Sequence, residues 1–453
     1  MNHDSIITSK TQLVKWFEEG NKKKENWKVG TEHEKFAYNY DKEKNSFIPA
    51  EYDSKSGIEN FLLEISKLGW EKISEKGRIT ALKKDNQSIT LEPGGQIELS
   101  GAPLENIHKA CKETNTHLKL VKKLGEKLNI TLIGLGSRPL EKTESISWMP
   151  KARYQIMKNY MPTKGVHGLD MMLSTCTVQA NLDYSDELDM KKKTLLAVKL
   201  QPLVTALFAN SPLSNGSPNG YLSKRRFFWM HTDPDRCGTL KIVFEDDFSF
   251  SKYVDYALSV PMYFIIRKNE YINCSGMSFK DFLNGKLQQL PGQRPTFKDW
   301  EDHLSTIFTE VRLKKFIEVR GADAGSWRRT CALPAFWVGI LYDKNVLTHA
   351  LEICKKWTFN DVNNLAEEVA KEGLKAKIKG NKVIDICKEL IKFSRKGLKT
   401  RNILDAKGRD ETQYLSVLEE IVQSEKTPAD NILENYRLKW KGNITNLIRE
   451  LSY

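Results

Sequence analysis

The spacing of apolar side chains along the chain separates helices from strands. A helical period predicts helices over 9–20, 58–69, 105–128 and about 188–209, the last of them interrupted at Pro202. Alternating or short apolar runs predict strands over 27–38, 130–136, 175–184, 239–244, 261–266 and 312–320, and two more within 88–100 around Pro93, Gly94 and Gly95. Glycine and proline residues in 210–220 predict a loop.

The pattern changes in the last part of the chain. From Leu333 onward it is mostly helical, and Thr427–Pro428 predicts a helix start because a capping hydroxyl precedes a proline at the first helical position. We therefore expect an α+β fold, with an antiparallel sheet and helices in 1–340 and a mostly helical region in 341–453. No repeat or linker divides the sequence, which predicts a single unit over 1–453.

Composition narrows the class of protein. The chain has 453 residues, 40% hydrophobic and 28% charged, as in globular proteins. No run reaches the roughly 18 apolar residues needed to span a bilayer, and the first ten residues contain neither an apolar core nor an arginine. We therefore expect a cytoplasmic protein that does not bind a membrane. Seven cysteines without a C-x-x-C pair predict neither a disulfide scaffold nor a structural zinc site.

The formal net charge of +13 favours anionic partners such as nucleic acids, nucleotides or small acidic substrates. Much of the charge is lysine scattered among Asn and Glu, as in 22–24 and 191–193, which is typical of a solvated surface. The sequence has no recognised nucleic-acid motif and no concentrated basic run among its aromatic residues. We therefore expect no nucleic-acid partner.

Four glutamates lie on or next to predicted strands. Glu32 and Glu34 are two residues apart and share one face of a strand, while Glu92 and Glu98 flank the glycine-rich turn. Neighbouring carboxylates repel each other unless a cation joins them, and oxygen ligands on strands suit Mg²⁺. An exposed edge strand and an ordinary hairpin would give the same pattern, so the spacing alone leaves both interpretations open.

Two further strands carry polar groups that suit a binding site. Thr175, Thr177, Gln179 and Asn181 share one face of a strand, as on the floor of a cavity or on a half-solvated surface. In the other strand, Glu318 and Arg320 share a face between apolar neighbours. A charged pair in such surroundings is costly without a partner or a role, which modestly favours a functional interpretation.

A basic and aromatic segment, Arg225, Arg226 and Trp229, precedes the loop 231–238. Arginine forks bind carboxylates or phosphates and aromatic rings line pockets, although a basic surface loop has the same pattern. The sequence contains no nucleophile elbow, P-loop, dinucleotide fingerprint or H-E-x-x-H motif.

Taken together, these segments resemble the plant-type glutamate–cysteine ligases, a family that also occurs in bacteria. The similar segments are 30–36, 91–103, 149–162, 168–183, 206–212, 255–263 and 312–342, with 427–431 and the terminal Leu451–Ser–Tyr453. The resemblance runs from about residue 11 to the last residue, and 91–103 and 328–343 are long and distinctive.

The resemblance implies a glutamine synthetase-like fold, in which a curved antiparallel sheet flanked by helices forms a funnel. It also implies an ATP- and Mg²⁺-dependent enzyme that joins the γ-carboxylate of glutamate to the amine of cysteine through a γ-glutamyl phosphate, the first step of glutathione biosynthesis. The candidate metal ligands are Glu32, Glu34, Glu92, Glu98 and Glu318. The candidate substrate-binding residues are Arg153, Arg225, Trp229, Tyr263, Thr177 and Gln179, and the candidate catalytic cations are Arg320 and Arg236.

The sequence departs from the family in two places. The family's D-R-T-G motif reads Asp235–Arg–Cys–Gly238 here. In plant members one disulfide joins the cysteine that matches Cys274 to a cysteine at the position of Gln289, so that disulfide is absent from this chain. The other plant pair matches Cys111 and Cys331, so a bridge between them is a hypothesis.

There are two alternatives to this function. An amine acceptor other than cysteine stays open, whereas the intact carboxylates disfavour an inactive scaffold. We expect a monomer or homodimer.

Overall fold

An antiparallel sheet is the centre of the molecule. The computed structural model describes residues 2–453. Among these residues the sheet has ten strands: β1 (Val29–Asp41), β2 (Ser46–Pro49), β3 (Glu71–Glu75), β4 (Arg78–Lys84), β5 (Gln87–Leu91), β6 (Ile97–Ser100), β7 (Ile130–Ile133), β8 (Thr177–Leu182), β9 (Val311–Leu313) and β10 (Ile317–Asp323). Neighbours follow the order β9-β10-β8-β1-β6-β5-β4-β3, and β2 and β7 pair with the second half of β1.

Helices flank this sheet. In the described chain they are α1 (Lys10–Glu18), α2 (Ile58–Ser66), α3 (Ile107–Leu128), α4 (Ala152–Tyr160), α5 (Gly168–Ser174), α6 (Glu187–Phe208), α7 (Lys224–Met230), α8 (Phe250–Ser259), α9 (Phe279–Leu283), α10 (Phe297–Ser305), α11 (Trp327–Leu341), α12 (Lys344–Ile353), α13 (Phe359–Glu372), α14 (Val383–Arg401), α15 (Ser416–Ser424), α16 (Pro428–Leu438) and α17 (Ile444–Leu451). Short strand pairs join Leu213–Ser214 to Ser217–Pro218, Cys237–Gly238 to Phe308–Thr309, Phe264–Arg267 to Glu270–Asn273, and Lys377–Ile378 to Asn381–Lys382.

Side-chain alternation along β8 separates the core from the functional face. Val178, Ala180 and Leu182 are fully buried in the main hydrophobic core, where α11 packs against the sheet. Thr177 and Gln179 lie on the opposite face. The same core continues from the first helix to α15, so the mostly helical region 341–453 packs on the sheet-containing part. The predicted α+β fold with an antiparallel sheet flanked by helices is confirmed.

Local signals place several helix ends where the sequence predicts them. Asn106 caps α3 by accepting a hydrogen bond from the Lys109 amide, and Asn129 ends it with a left-handed φ of 56°. Thr427 caps α16 through a reciprocal capping box with Asp430. The predicted start of this helix is therefore confirmed.

Three predicted elements are wrong. Helix α6 continues through Pro202, because its second half is buried and packing outweighs the loss of one backbone hydrogen bond. Residues Lys241–Phe244 form a 3₁₀ helix and not a strand, since a short apolar run is compatible with either element. The predicted strand 312–320 is a hairpin of β9 and β10, in which Arg312 lies opposite Glu318.

Candidate active site

A cavity of about 660 Å³ lies on the polar face of β8 and β1. Its walls come from β1, β8, β10, the turn between β5 and β6, and helices α4, α5 and α7. The predicted site residues that line it are Glu34, Glu92, Arg153, Thr177, Arg225, Trp229 and Arg320. Long-range folding therefore brings together residues that are nearly 290 positions apart in the sequence.

The glycine-rich turn closes one side of this cavity. A Cβ atom on Gly94 would lie 2.4 Å from the carbonyl oxygen of Leu173, so only glycine allows the turn to approach α5. Gly95 has a φ of +80°, which also favours glycine. Gln96 fixes the contact, because its Nε2 donates to the carbonyls of Met172 at 3.1 Å and Thr175 at 2.9 Å. The turn thereby holds Glu92 beside the cavity.

Three candidate substrate residues that line the cavity carry buried donors that no group in residues 2–453 satisfies. These donors are Nε of Arg153, Nε and Nη1 of Arg225, and Nε1 of Trp229. The Arg225 guanidinium, 2% exposed, lies 5.6 Å from the centre of the Trp229 ring. Buried polar groups are normally hydrogen-bonded, so such a concentration of free donors indicates a site for an acceptor-rich, anionic ligand.

Two glutamates face each other across neighbouring strands beside this cavity. Glu34 on β1 lies directly opposite Glu98 on β6. An oxygen of Glu34 accepts the backbone amide of Thr177 at 3.0 Å, and Glu98 accepts the Thr90 hydroxyl at 2.7 Å. Burial, followed by repulsion from Glu98 and Glu92, holds the pKa of Glu34 well above its usual value. Burial and Glu92 also raise the pKa of Glu98. The surrounding side chains therefore do not supply enough positive charge to neutralise Glu34, Glu92 and Glu98.

Glu318 has a different environment from the other carboxylates. It is fully buried and forms a two-bond ion pair with Arg312, in which Nη2 donates to Oε1 at 3.0 Å. Burial alone would raise the pKa of Glu318, but Arg312, Lys314 and Arg320 outweigh it and hold the pKa well below its usual value. Both oxygens are already bonded, which argues against Glu318 as a metal ligand in this arrangement.

Glu32 resembles neither the Glu34–Glu98 pair nor the Arg312-paired Glu318. It accepts the Asn181 side-chain amide at 2.7 Å and does not line the cavity. Burial, Glu318 and Glu98 raise the pKa of Glu32 to about 7. In the part of the chain that the structure describes, no three His, Cys, Asp or Glu side chains converge as a preformed metal site. Mg²⁺ commonly takes one or two carboxylates together with water and phosphate oxygens, so a preformed cage is not required.

Arg320 is the candidate cation that lines the cavity. Its Nη1 donates to the side-chain oxygen of Gln179 at 2.6 Å, and Glu318 lies 3.5 Å away. Gln179 itself is buried outside the cavity lining. Gln179 thus contacts Arg320 and does not line the cavity, whereas the sequence predicted that it binds substrate directly.

Arg236 and Tyr263 lie behind the cavity wall. The Arg236 guanidinium pairs with Asp233 at 2.7 Å, stacks 3.9 Å from the centre of the Tyr263 ring, and donates to the carbonyl of Thr306 at 3.2 Å. Thr306 lines the cavity, but neither Arg236 nor Tyr263 does. Arg236 thus contacts the cavity wall through Thr306, and its predicted catalytic role stays a prediction.

Several lining residues have no signal in the sequence pattern. Apart from Gln96, they are mainly apolar or aromatic: Tyr154, Met157, Met171, Met172, Phe264 and Phe308. Apolar side chains on helices or short strands are typical of a core, and nothing local distinguishes a cavity wall from core packing. The segments 149–162 and 168–183, which resemble the family, contain Tyr154, Met157, Met171 and Met172, so the resemblance could have marked these four residues but not Phe264 or Phe308.

The antiparallel sheet flanked by helices, with grouped carboxylates and free guanidinium donors on its polar face, is an α+β fold of the glutamine synthetase-like class. The chain belongs to the glutamate-cysteine ligase family 2, whose model matches residues 28–450. The predicted family and the predicted ligase class are therefore confirmed.

Curated relatives cover almost the whole chain. It is 48% identical over 454 residues to a chloroplastic glutamate–cysteine ligase of Solanum lycopersicum, with 99% of this chain and 84% of the relative covered. It is 47% identical over 445 residues to the chloroplastic enzyme of Arabidopsis thaliana, with 98% and 83% covered. A crystal structure of a glutamate–cysteine ligase from Francisella tularensis in complex with AMP shares the fold, with a TM-score of 0.55, 14% identity, and 95% and 89% of the two chains covered.

These comparisons contradict the predicted cytoplasmic location, because the plant relatives are named chloroplastic. The prediction took the lack of arginine in the first ten residues as an argument against a transit peptide, and this local feature is a weak guide to location. Within the described residues, no helix combines the length and apolar character that a membrane span requires.

Proposed function

We propose that this chain catalyses the ATP-dependent ligation of the glutamate γ-carboxylate to the amine of cysteine, which gives γ-glutamylcysteine. The substrates are glutamate, cysteine and ATP. The free donors of Arg153, Arg225 and Trp229 in one buried cavity carry the proposal, because a dicarboxylate ligand satisfies them. Family membership supports the same reaction.

The first step activates the γ-carboxylate of glutamate. One carboxylate oxygen attacks the γ-phosphorus of ATP, the bond from that phosphorus to the bridging oxygen breaks, and ADP leaves with γ-glutamyl phosphate in place. Arg153 and Arg225 hold the glutamate anion, and Trp229 closes the pocket. Arg320, oriented by Gln179, supplies fixed positive charge where the phosphoryl group moves. The work of the chain is chiefly positioning and charge neutralisation.

The second step forms the amide bond. The amine nitrogen of cysteine attacks the acyl carbon, the bond from that carbon to the phosphate oxygen breaks, phosphate leaves, and the nitrogen loses a proton. The acyl phosphate must be protected from water until then. The apolar walls formed by Met171, Met172, Phe264 and Phe308 supply this protection.

Mg²⁺ suits the carboxylates at this site. Glu34, Glu92 and Glu98 are grouped, and the pKa of Glu34 and of Glu98 is raised by burial and mutual repulsion, as expected for carboxylates that lack a counter-ion. When bound, Mg²⁺ would neutralise phosphate charge. Glu34, Glu92 and Glu98 are the proposed ligands, Glu32 is a candidate further out, and Glu318 is the least suited because Arg312 occupies both of its oxygens.

The test is ADP release by the purified protein with ATP, Mg²⁺ and glutamate, with and without cysteine, combined with mass analysis of the product. Cysteine-dependent ADP release with formation of γ-glutamylcysteine is the expected result. ADP release that depends on another amine would retain the mechanism and change the acceptor. If no amine stimulates ADP release, the proposal is wrong.

A further inference from the structure

A second cavity, of about 1170 Å³, lies behind the wall of the reaction cavity and opens to solvent. Ser174 lines this second cavity and the adjacent Thr175 lines the first, but the two linings share no residue among those described. The proposed reaction uses none of the side chains in the second cavity. Two of them, Arg138 and Glu141, carry buried polar atoms without partners in residues 2–453.

Arg138 is built into this cavity and is only 3% exposed. Its Nε donates to the carbonyl of Leu173 at 3.0 Å and its Nη2 to the carbonyl of Gly94 at 2.6 Å. The guanidinium stacks 4.7 Å from the ring centre of Phe36. Within the described chain, Nη1 has no acceptor. The side chain is thus rigidly held with one unused donor, the arrangement expected of an arginine that receives an anionic group.

Glu141 supplies the opposite charge three residues further on. Its Oε2 accepts the Tyr38 hydroxyl at 3.2 Å, whereas its Oε1 is buried and accepts no hydrogen bond from any described residue. Arg138 and Glu141 form no ion pair of 4 Å or less in residues 2–453, although the Arg138 charge partly offsets the rise that burial causes in the pKa of Glu141. Asp170, also in this lining, is already paired with His167 at 2.7 Å. The Arg138 guanidinium also lies 5.8 Å from the centre of the Tyr38 ring, so a cation with one unused donor and an anion with one unused acceptor lie beside the same tyrosine.

We propose that this second cavity binds the zwitterionic head of a free α-amino acid, with the α-carboxylate on Arg138 and the α-ammonium on Glu141. A simple anion such as phosphate would satisfy Arg138 but would repel Glu141 and leave its Oε1 without a donor, and a simple cation would leave the Arg138 Nη1 without an acceptor. The α-amino and α-carboxylate groups satisfy both charges at once. The site is separate from the reaction cavity, so the inference does not depend on the proposed reaction.

Binding is measured by equilibrium dialysis without ATP, with labelled L-glutamate and, separately, labelled L-serine, a non-oxidising substitute for cysteine. The Arg225→Ala chain disables the reaction cavity. We expect this chain to retain one bound equivalent of at least one probe. In that background, Glu141→Gln should weaken the remaining binding about 10- to 100-fold, because it removes a charged hydrogen bond. Glu144→Gln, an equal charge change at an exposed position of the same lining, is the matched control.

Blocked ligands test the same site without a mutation. N-acetyl-L-serine lacks the ammonium and L-serinamide lacks the carboxylate, so each should bind at least about tenfold more weakly than L-serine. Failure of both probes to bind the Arg225→Ala chain, equal binding by Glu141→Gln, or undiminished binding of N-acetyl-L-serine would overturn the inference. Equal stoichiometry for the wild-type and Arg225→Ala chains would instead contradict the proposed glutamate pocket and leave this inference standing.

Discussion

The Nη2 of Arg225 donates to the backbone carbonyl of Arg320 at 2.7 Å. This bond ties helix α7 to strand β10 and directs the two free donors of Arg225, Nε and Nη1, toward the cavity. Arg320 is in turn held by Gln179 at 2.6 Å. One chain of contacts thus sets the position of both cations, although we assign Arg225 to substrate binding and Arg320 to phosphoryl transfer.

Arg225→Ala should raise the KM for glutamate about 10- to 100-fold, because a charged hydrogen-bonding group is lost from the pocket. The KM for ATP should change little, and steady-state kinetics with each substrate varied in turn will show the difference. An equal rise in both KM values would remove Arg225 from the glutamate pocket.

Arg226 provides the matched control. It is equally buried but forms an ion pair with Glu310, outside the cavity lining. Arg226→Ala should lower the melting temperature, because it leaves a buried carboxylate unpaired. It should leave the KM for glutamate unchanged in the folded protein.

Glu34→Gln should reduce turnover at least about 100-fold if the carboxylate holds charge at the reacting phosphate. The melting temperature of the unliganded chain should not fall, because the amide retains an acceptor for the Thr177 amide and removes repulsion from Glu98. Rates at increasing Mg²⁺ and a thermal melt check both expectations. Glu126→Gln, on the exposed face of α3, should change neither quantity. Retained activity at saturating Mg²⁺ would count against a metal role.

Local pattern predicted the face of each strand well but could not predict the partners of its side chains. Alternation correctly puts Glu32 and Glu34 on one face of β1 and Val178 opposite Thr177 on β8. The sequence does not reveal that Lys35, on the other face of β1, is completely buried and donates to the His33 carbonyl at 2.9 Å. Such contacts depend on which elements pack together, which is decided by the whole fold.

Because local pattern does not give the partners of a side chain, the sequence could not distinguish the candidate residues that line the cavity from those that do not. Arg236 and Arg225 are both candidate site residues in the sequence, yet Asp233 and Tyr263 enclose Arg236 while Arg225 retains free donors in the cavity. Glu318 was grouped with the other glutamates, but its opposite neighbour across the hairpin is Arg312. The identity of a cross-strand partner requires the register, and no local periodicity contains it.

Mild oxidation should join Cys111 to Cys331. Both thiols are buried at the contact of α3 with α11, and they are close enough that burial and Cys331 together hold the pKa of Cys111 well above its usual value. The high pKa of the Cys111 thiol keeps its reactive thiolate scarce, so the bridge should form slowly. Thiol titration under denaturing conditions should fall from seven to five, since seven cysteines minus two leaves five. Cys331→Ser should give six before and after oxidation, and seven free thiols in the oxidised wild type would dismiss the bridge.

The pH dependence of stability should report on Glu32. Burial raises the pKa of this carboxyl from 4.5 to about 7, so between these values the folded chain holds a proton that the unfolded chain has lost. The contribution of Glu32 to stability is therefore present below about pH 4.5 and declines as the pH rises to 7. Glu32→Gln removes this decline, and its melting temperature relative to the wild type should rise from pH 5 to pH 7.

The melting temperature of Glu32→Gln must be compared with that of the wild type at each pH, because other buried groups change stability with pH in the opposite direction. His33 and His117 have pKa values well below the usual one through burial, so they favour the folded state as the pH rises toward 6.5. Both residues are present in the wild type and in Glu32→Gln, and their contributions cancel in the difference. Thermal melts of the unliganded proteins at half-unit steps of pH measure it, with Glu126→Gln as the control for a constant offset. A difference that does not change between pH 5 and 7 would mean that Glu32 is ionised in the folded chain, and a bound cation or a closer positive side chain would then have to be found for it.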